Sequence, residues 1–336
     1  MARPIPLKAV ILAGGFGTRL RPLTLTCPKP LLPVANVPIV RRIVDKLPKD
    51  VDEVVLAVNY RLEQLQRYFS EHDVGRKVTL VEEKEPLGTA GALKNVERHV
   101  RDGPFFVFNG DVLDSLDLVA FRRFHEAKGG LGALALWTVS DPRHFGVMQM
   151  DGDRIVRFVE KPATKEEAPS HLANAGTYLL EPEVFDLVPA GQPVSIERET
   201  FPKALDLGHR LHGFPFEGFW VDCGRPETYL RANEAVLRAA RRHVLLGERT
   251  VNRGAAFDDW AVVGAGCTLG TDVSIARSVL LSGVRVGNNV TIKDSIVGPN
   301  VHIEDDAALM ECVVGEGARV EKGVLLKNVK TDPPSS

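Results

Sequence analysis

"AVVGAGCTLGTDVSIAR" (261–277) is followed by "SVLLSGVRVGNNVTIKD" (278–294), "SIVGPNVHIEDDAALME" (295–311) and "CVVGEGARVEKGVLLKN" (312–328). Laid under one another, the four lines repeat every 17 residues, with aliphatic positions that step by six, six and five. Val263, Leu269, Ile275, Leu280, Val286, Ile292, Val297, Ile303, Leu309, Val314, Val320 and Leu326 all obey the rule. A series this long without a break marks a repeat architecture in which each unit leans on the next.

Each line supplies three short strands with one inward aliphatic residue apiece. Gly or Asn stands near the corners, where tight turns need positive φ. A single coil cannot bury its own apolar face, so stacking does it. The pattern resembles the left-handed parallel β-helix of hexapeptide repeats, with one corner per coil shortened by a residue. This domain is expected over 261–329, with a disordered tail at 330–336. Four coils are few, so the ends of the β-helix are expected to be covered by another subunit or domain, and a homo-oligomer is expected.

Upstream of the repeat the pattern is different. "KAVIL" (8–12), "EVVLAV" (53–58), "KVTLVE" (77–82), "PFFVFNG" (104–110) and "LGALALWTV" (131–139) read as buried strands. Between them lie "PIVRRIVDKL" (38–47), "RLEQLQRYF" (61–69), "GTAGALKNVERHV" (88–100) and "DLVAFRRFHEA" (117–127), whose apolar residues recur three and four apart. Strand and helix in alternation predict an α/β fold, a mostly parallel Rossmann-like sheet covered on both faces. Ligands of such sheets collect at the carboxyl ends of the strands. After residue 140 the strands shorten into "GVMQM" (146–150), "RIVRFVE" (154–160), "ANAGTYLL" (173–180) and "GFWVD" (218–222), a substrate-binding lobe on the same sheet. The α/β domain is expected over 1–240 and an Arg-rich linker over 241–260.

Composition narrows the function. The 336 residues carry a formal net charge of -2, so no excess of Lys and Arg exists to neutralise a nucleic-acid backbone. Cys27, Cys223, Cys267 and Cys312 lie far apart without metal-site spacing and read as reduced thiols. The N-terminal apolar run is too short for a secretory signal, and no segment reaches the roughly 18 apolar residues of a membrane helix. A cytoplasmic protein without nucleic-acid or membrane partners is expected.

One loop carries chemistry on its face. "ILAGGFGTRLRPLTLTCPKP" (11–30) puts glycines and basic residues directly behind the first strand. It lacks the Gly-Lys-Ser/Thr ending of a Walker A loop and does not fit the GxGxxG spacing. Gly14, Gly15 and Gly17 would still let backbone N–H groups approach a phosphate, and Arg19 and Lys29 add fixed positive charge. On glycine content alone, a polyphosphate site and an ordinary flexible loop remain open alternatives.

The longer string "LAGGFGTRLRPLTLTCPKPLLPVANVPIV" (12–40) closely resembles the signature of the sugar-nucleotide pyrophosphorylases. These nucleotidyltransferases join a nucleoside triphosphate to a sugar 1-phosphate. "FNGD" (108–111), "FVEKP" (158–162), "NAGTY" (174–178) and "FWVDCGRPETYL" (219–230) match later motifs of that family in order. A C-terminal β-helix and a nucleotidyltransferase domain of the GT-A-like kind also fit it.

The resemblance implies roles residue by residue. The nucleotide would be held by Leu12, Ala13, Gly14, Gly15, Gly17, Thr18, Arg19 and Lys29 from the loop, with Gly88 and Thr89 from "EPLGTAGAL" against the nucleoside. Arg21 is left between a second phosphate contact and a surface charge. The sugar phosphate would meet Gly146, Glu160, Lys161, Asn174 and Gly176. Asp111 and Asp222, each just beyond a strand, would bind Mg²⁺ together with phosphate oxygens. Arg19, Lys29, Asp111, Lys161 and Asp222 form the catalytic set.

"EPLGTAGAL", "SIERETFPKAL" and "FWVDCGRPETYL" look most like the mannose-1-phosphate guanylyltransferases, which implies GTP and mannose 1-phosphate as substrates. Glucose-1-phosphate uridylyl-, thymidylyl- and adenylyltransferases share the frame and stand as alternatives. So does a non-catalytic regulatory subunit of the same fold. An added acyltransferase activity is disfavoured, because His302 is the lone histidine of the repeats and no inserted loop could build a coenzyme A site.

Overall fold

The computed structural model describes residues 7–334, and its contacts divide into two compact units. The first takes the residues up to Gly15 together with Val40–Trp220, the second Phe16–Ile39 with Val221 onward. The glycine loop is thus shared out by sequence, its opening in one unit and its basic continuation in the other.

Nine strands make the sheet of the first unit: β1 (Leu7–Leu12), β2 (Val51–Val58), β3 (Lys77–Glu82), β4 (Phe105–Asn109), β5 (Gly132–Thr138), β6 (Gly146–Asp151), β7 (Arg154–Glu160), β8 (Leu172–Leu180) and β9 (Leu211–Pro215). Their order is β3-β2-β1-β4-β8-β5-β9-β7-β6. The first four run parallel, as their continuous apolar runs predict. β8 then enters antiparallel between β4 and β5, and β6 and β7 form a hairpin that closes the sheet. The shorter strands after residue 140 therefore extend the same sheet, with antiparallel pairings added to the parallel half.

Helices α1 (Ile39–Lys46), α2 (Leu62–Glu71), α3 (Gly88–Val100), α4 (Leu118–Lys128) and α5 (Phe201–Asp206) accompany the sheet. The core beneath α3 joins Ala90, Leu93, Val96 and Val100 to Val10, Val55, Phe105 and Val107 of the strands. Burying such side chains stabilises the unit by about 1.5–3 kcal/mol each. Just before α5, Ile196–Thr200 makes one wide helical turn in which Thr200 N–H donates to the Ser195 carbonyl, five residues back.

The second unit is built on the repeat. All of the inward aliphatic residues named above are buried except Leu326, which is half-buried at the final coil. Strands one line apart in sequence pair parallel at a shift of 17, so that Val263, Leu280, Val297 and Val314 stack on one face. The coil is longer than the sequence pattern suggests at both ends. Val244–Leu246, Val251–Asn252 and Ala256–Phe257 pair with the 261–276 coil and form a coil of their own, inside the stretch expected as a linker. Lys330–Thr331 likewise pairs with Val313–Val314, inside the stretch expected as a tail, whereas 335–336 lie outside the described residues. Polar spacing hid these strands, since Leu246 and Val251 are exposed and leave no apolar series.

The corners also differ from expectation. Two columns do use Gly, Asn or Asp at positive φ, but the third carries Arg277, Asp294, Glu311 and Asn328 there. Arg277 recovers part of that cost through a two-pronged ion pair with Asp294 on the next coil, at 2.6 and 2.7 Å. An outward column, Val262, Val279, Ile296 and Val313, is buried as well. Helix α6 (Pro226–Ala239) packs near it, against Ser278–Leu280.

Candidate active site

In the first unit the parallel strands end together. β1 finishes at Leu12, level with Asn109 of β4 and Ala57 of β2. Ala13 N–H donates to the Ala57 carbonyl at 2.8 Å, and Gly110 N–H donates to the Leu12 carbonyl at 2.9 Å. A side chain at Gly110 would collide with that carbonyl at 2.6 Å, so the glycine of "FNGD" is what lets the turn bearing Asp111 lie against the end of β1. Leu12, Ala13, Gly14, Gly15 and Asp111 are accordingly gathered where a parallel sheet places its ligands.

Gly14 and Gly15 do different things. A Cβ on Gly14 would lie 2.9 Å from Glu83 Oε1, whereas one on Gly15 would meet nothing within 4 Å. Packing thus explains Gly14 and leaves Gly15, which is exposed, to be explained by what comes from outside. Glu83 was not singled out by sequence. It is a buried carboxylate at the end of β3, its pKa pushed up by burial and held back in part by the Leu87 N–H. One glutamate of three in "VEEKEPLG" gives no local signal of burial, which explains the omission.

Gly88 and Thr89 open α3, as expected, but their side-chain space is committed within the protein. Gly88 has φ 68°, and a Cβ there would strike the Val194 carbonyl at 2.6 Å. Thr89 Oγ1 donates to Glu197 Oε2 at 2.7 Å and accepts from Ile196 N–H at 2.8 Å. Any contact these two make with a nucleoside falls to their backbone and methyl groups.

The sugar-side candidates also converge. Glu160, the last residue of β7, lies opposite Gly146, the first of β6, and Val147 pairs with Ala173, the neighbour of Asn174 in β8. Lys161 follows at φ 51°, exposed, with its Nζ 3.5 Å from Glu160 Oε1. β8 is bulged between Asn174 and Tyr178, at Gly176 with φ 75°; a Cβ there would lie 2.6 Å from Asn109 Nδ2. Bulges of this kind re-aim side chains next to binding sites. The bulge turns Asn174 so that its Oδ1 accepts from Gly176 N–H at 2.9 Å and its Nδ2 donates to the Tyr178 hydroxyl at 2.7 Å.

The second unit assembles the charged groups. Gly17, at φ 62°, starts the short turn Thr18–Leu20, and its carbonyl accepts from Thr24 Oγ1 at 2.8 Å. Thr18 and Arg19 are exposed on that turn, while Lys29 is 7% exposed. The Lys29 ammonium stands 3.9 Å from Asp222 Oδ1. A Cβ on Gly224 would fall within 2.8 Å of both Asp222 Oδ1 and a terminal nitrogen of Arg19. Arg19, Lys29 and Asp222 therefore meet over one glycine. A buried ammonium needs a charge partner, and this one has a carboxylate that remains partly open to solvent.

Among the described residues no three His, Cys, Asp or Glu side chains cluster to hold a metal. Protein ligands at any one place are then too few for a closed site. Carboxylate oxygens such as those of Asp111 and Asp222 are hard donors, the kind Mg²⁺ takes in ones and twos beside water and phosphate oxygens.

The nucleotidyl transferase family model matches residues 8–239, and the GMPPB C-terminal domain model matches 243–335. This chain belongs to the nucleotidyl transferase family. Mannose-1-phosphate guanylyltransferase 1 of Arabidopsis thaliana is 38% identical over 83% of this chain and 79% of its own length. The mannose-1-phosphate guanylyltransferase of Mycobacterium tuberculosis is 37% identical over 82% of this chain and 80% of its own. Among solved structures, a putative glucose-1-phosphate thymidylyltransferase from Bacillus anthracis, determined with sucrose, superposes with a TM-score of 0.62 at 28% identity, covering 68% of this chain and 94% of that one. The family match over residues 8–239 spans the sheet and the glycine loop. No helix among the described residues is long and apolar enough to cross a membrane.

Proposed function

We propose that this nucleotidyltransferase makes GDP-mannose and pyrophosphate from GTP and mannose 1-phosphate. The observation that carries the reading is the meeting of Arg19, Lys29 and Asp222 over Gly224, in a family whose curated relatives of matching length are named mannose-1-phosphate guanylyltransferases. A phosphate oxygen of mannose 1-phosphate attacks the α-phosphorus of GTP, and the bond from that phosphorus to the bridging oxygen of the β-phosphate breaks. No side chain forms a bond to substrate. The chain's task is alignment and charge neutralisation.

Placement within each unit supports the following roles. Gly15 leaves room for phosphate against the backbone, with Gly14, Gly17 and Thr18 flanking it. Arg19 and Lys29 neutralise the triphosphate. Lys161 takes the sugar phosphate, while Glu160 and Asn174 take sugar hydroxyls beside Gly146 and Gly176. Leu12, Ala13, Gly88 and Thr89 bound the nucleoside. Asp111 and Asp222 would be the carboxylate ligands of Mg²⁺, and the ion would supply electrostatic stabilisation of the phosphoryl oxygens. Residues 1–240 are assigned this chemistry, and the β-helix is assigned assembly of a cytosolic homo-oligomer.

The test is pyrophosphate release by the purified chain over a grid of GTP, UTP, dTTP and ATP against mannose and glucose 1-phosphates, with and without Mg²⁺. GTP with mannose 1-phosphate is expected to be fastest and to need the metal. Faster turnover with UTP or dTTP and glucose 1-phosphate overturns the specificity, and no release with any pair leaves the regulatory-subunit reading in its place.

A further inference from the structure

A chain of side-chain hydrogen bonds runs from the start of α3 to the bulge in β8, and nothing in the assignment above uses its middle. Glu197, in the wide turn before α5, accepts from Thr89 Oγ1 at 2.7 Å and from Ser195 Oγ at 2.9 Å, both on Oε2. Its other oxygen, Oε1, accepts from the Tyr178 hydroxyl at 3.3 Å. Tyr178 is fully buried, and burial raises the pKa of its phenol well above the usual range, so the hydroxyl keeps its proton. It spends that proton on Glu197 and accepts from Asn174 Nδ2.

The direction of every bond is therefore fixed by chemistry. Glu197 Oε1 accepts from the Tyr178 hydroxyl at 3.3 Å, so Tyr178 donates toward it. The phenol oxygen is then left as an acceptor, which selects the NH₂ end of the Asn174 amide. Asn174 Oδ1 is selected in turn by Gly176 N–H. One N–H and one lone pair of the Asn174 amide remain to serve a ligand.

We propose that Glu197 and Tyr178 are positioning residues, Tyr178 orienting Asn174 toward the sugar and Glu197 tying that orientation to the nucleoside-side turn at Thr89. The inference rests on the reading that Asn174 faces the sugar phosphate and α3 the nucleotide. Wide helical turns recur at functional sites. Here the widening between Ser195 and Thr200 brings Glu197 to hydroxyl groups from two other elements, α3 and β8.

Steady-state kinetics with each substrate varied in turn, using the best pair from the grid, tests it on the full chain. Tyr178→Phe is expected to raise KM for the sugar phosphate about tenfold, the equivalent of one lost hydrogen bond, and to leave KM for the nucleotide within twofold. Glu197→Ala is expected to raise both KM values. Glu197→Gln retains an acceptor for Tyr178 and is expected to hold both KM values within about threefold of wild type. A merely structural role would instead lower Tm and the active fraction, leaving both KM values unmoved. The inference is overturned if Tyr178→Phe shifts the nucleotide KM as much as the sugar-phosphate KM, or if Glu197→Ala shifts neither. Should Tyr178→Phe not fold, the contrast between Glu197→Ala and Glu197→Gln decides alone. Failure of the functional reading shows up separately, as wild-type chain that turns over no pair.

Discussion

In the β-helix a recurring set of polar side chains meets partners one coil away, whereas the network at Glu197 in the α/β unit joins side chains from separate parts of the chain. Arg277 reaches Asp294 across 17 residues, and the buried hydroxyl of Ser278 accepts from Ser295 N–H at the same interval. Thr89 reaches Glu197 across 108. The first kind of bond recurs coil after coil and secures stacking. The second kind occurs once and orients a particular group, so its loss is felt in substrate handling more than in stability.

The largest expected effect lies at the charged end of that contrast. Asp222→Asn keeps the side chain's size while removing one anionic ligand and the charge partner of Lys29. Metal-assisted charge stabilisation is worth several kcal/mol, and each 1.36 kcal/mol is tenfold in rate, so turnover should fall on the order of a hundredfold or more. If the proposed metal site is right, Asp111→Asn should do likewise, and the double variant should fall much less than the product, because the proposal has both act through one ion. Turnover of the four proteins across a Mg²⁺ titration, with circular dichroism as the folding control, checks this. Near-normal turnover and metal dependence in Asp222→Asn would break the site assignment.

The β-helix should give the mirror image. Ile292 is fully buried between coils, and Ile292→Ala removes methyl and methylene groups from a stack with little room to collapse. A loss of about 2–5 kcal/mol is expected in a denaturant melt. Turnover per folded molecule should stay within about twofold. A matching collapse of turnover would show that the coil supports the site directly.

Periodicity made the β-helix legible because each coil repeats the same local demands, so that one rule located an aliphatic residue of the core on each strand of the four repeats, while Val273, Val284, Val290 and Val301 of the same core fall outside it. The rule ran out where the demands stop repeating. The coil at 244–257 and the strand at 330–331 have exposed faces and so no aliphatic series to read. The buried outward column from Val262 to Val313 is a tertiary fact that depends on packing outside the coil. In the α/β unit, alternation of strand and helix gave the sheet, and motif resemblance gave Gly14, Gly15, Asp111, Glu160 and Asn174 their neighbourhood. Tyr178 and Glu197 stood inside "NAGTY" and "SIERETFPKAL" without a role, and Glu83 stood outside every motif. Their meaning comes from burial and from partners far away in sequence, and no local window holds both.

Two glutamates, one in each region, sharpen the comparison at the small end of the scale. Glu83 has its pKa raised by burial. A carboxyl group raised in this way contributes stability that is complete below its unfolded value, near 4.3, and is lost as pH climbs through its folded value. Glu83→Gln removes the ionisation, so the variant should melt a few degrees above wild type at pH 8 and lose that advantage as pH falls toward 4.5. Glu304 on the β-helix is the reverse case: the Arg319 guanidinium holds its pKa below the usual range, and Lys322 N–H assists. Its contribution is present above the unfolded value and lost as pH falls through the folded one. Glu304→Gln should melt slightly below wild type at pH 8, and that deficit should vanish in acid. Thermal melts of the three proteins between pH 4.5 and 8.5 read both slopes at once. Differences that do not change with pH would mean that neither carboxylate is shifted by its surroundings, and a Glu83→Gln variant less stable than wild type at pH 8 would mean that the ionised carboxylate has a compensating partner in the folded chain.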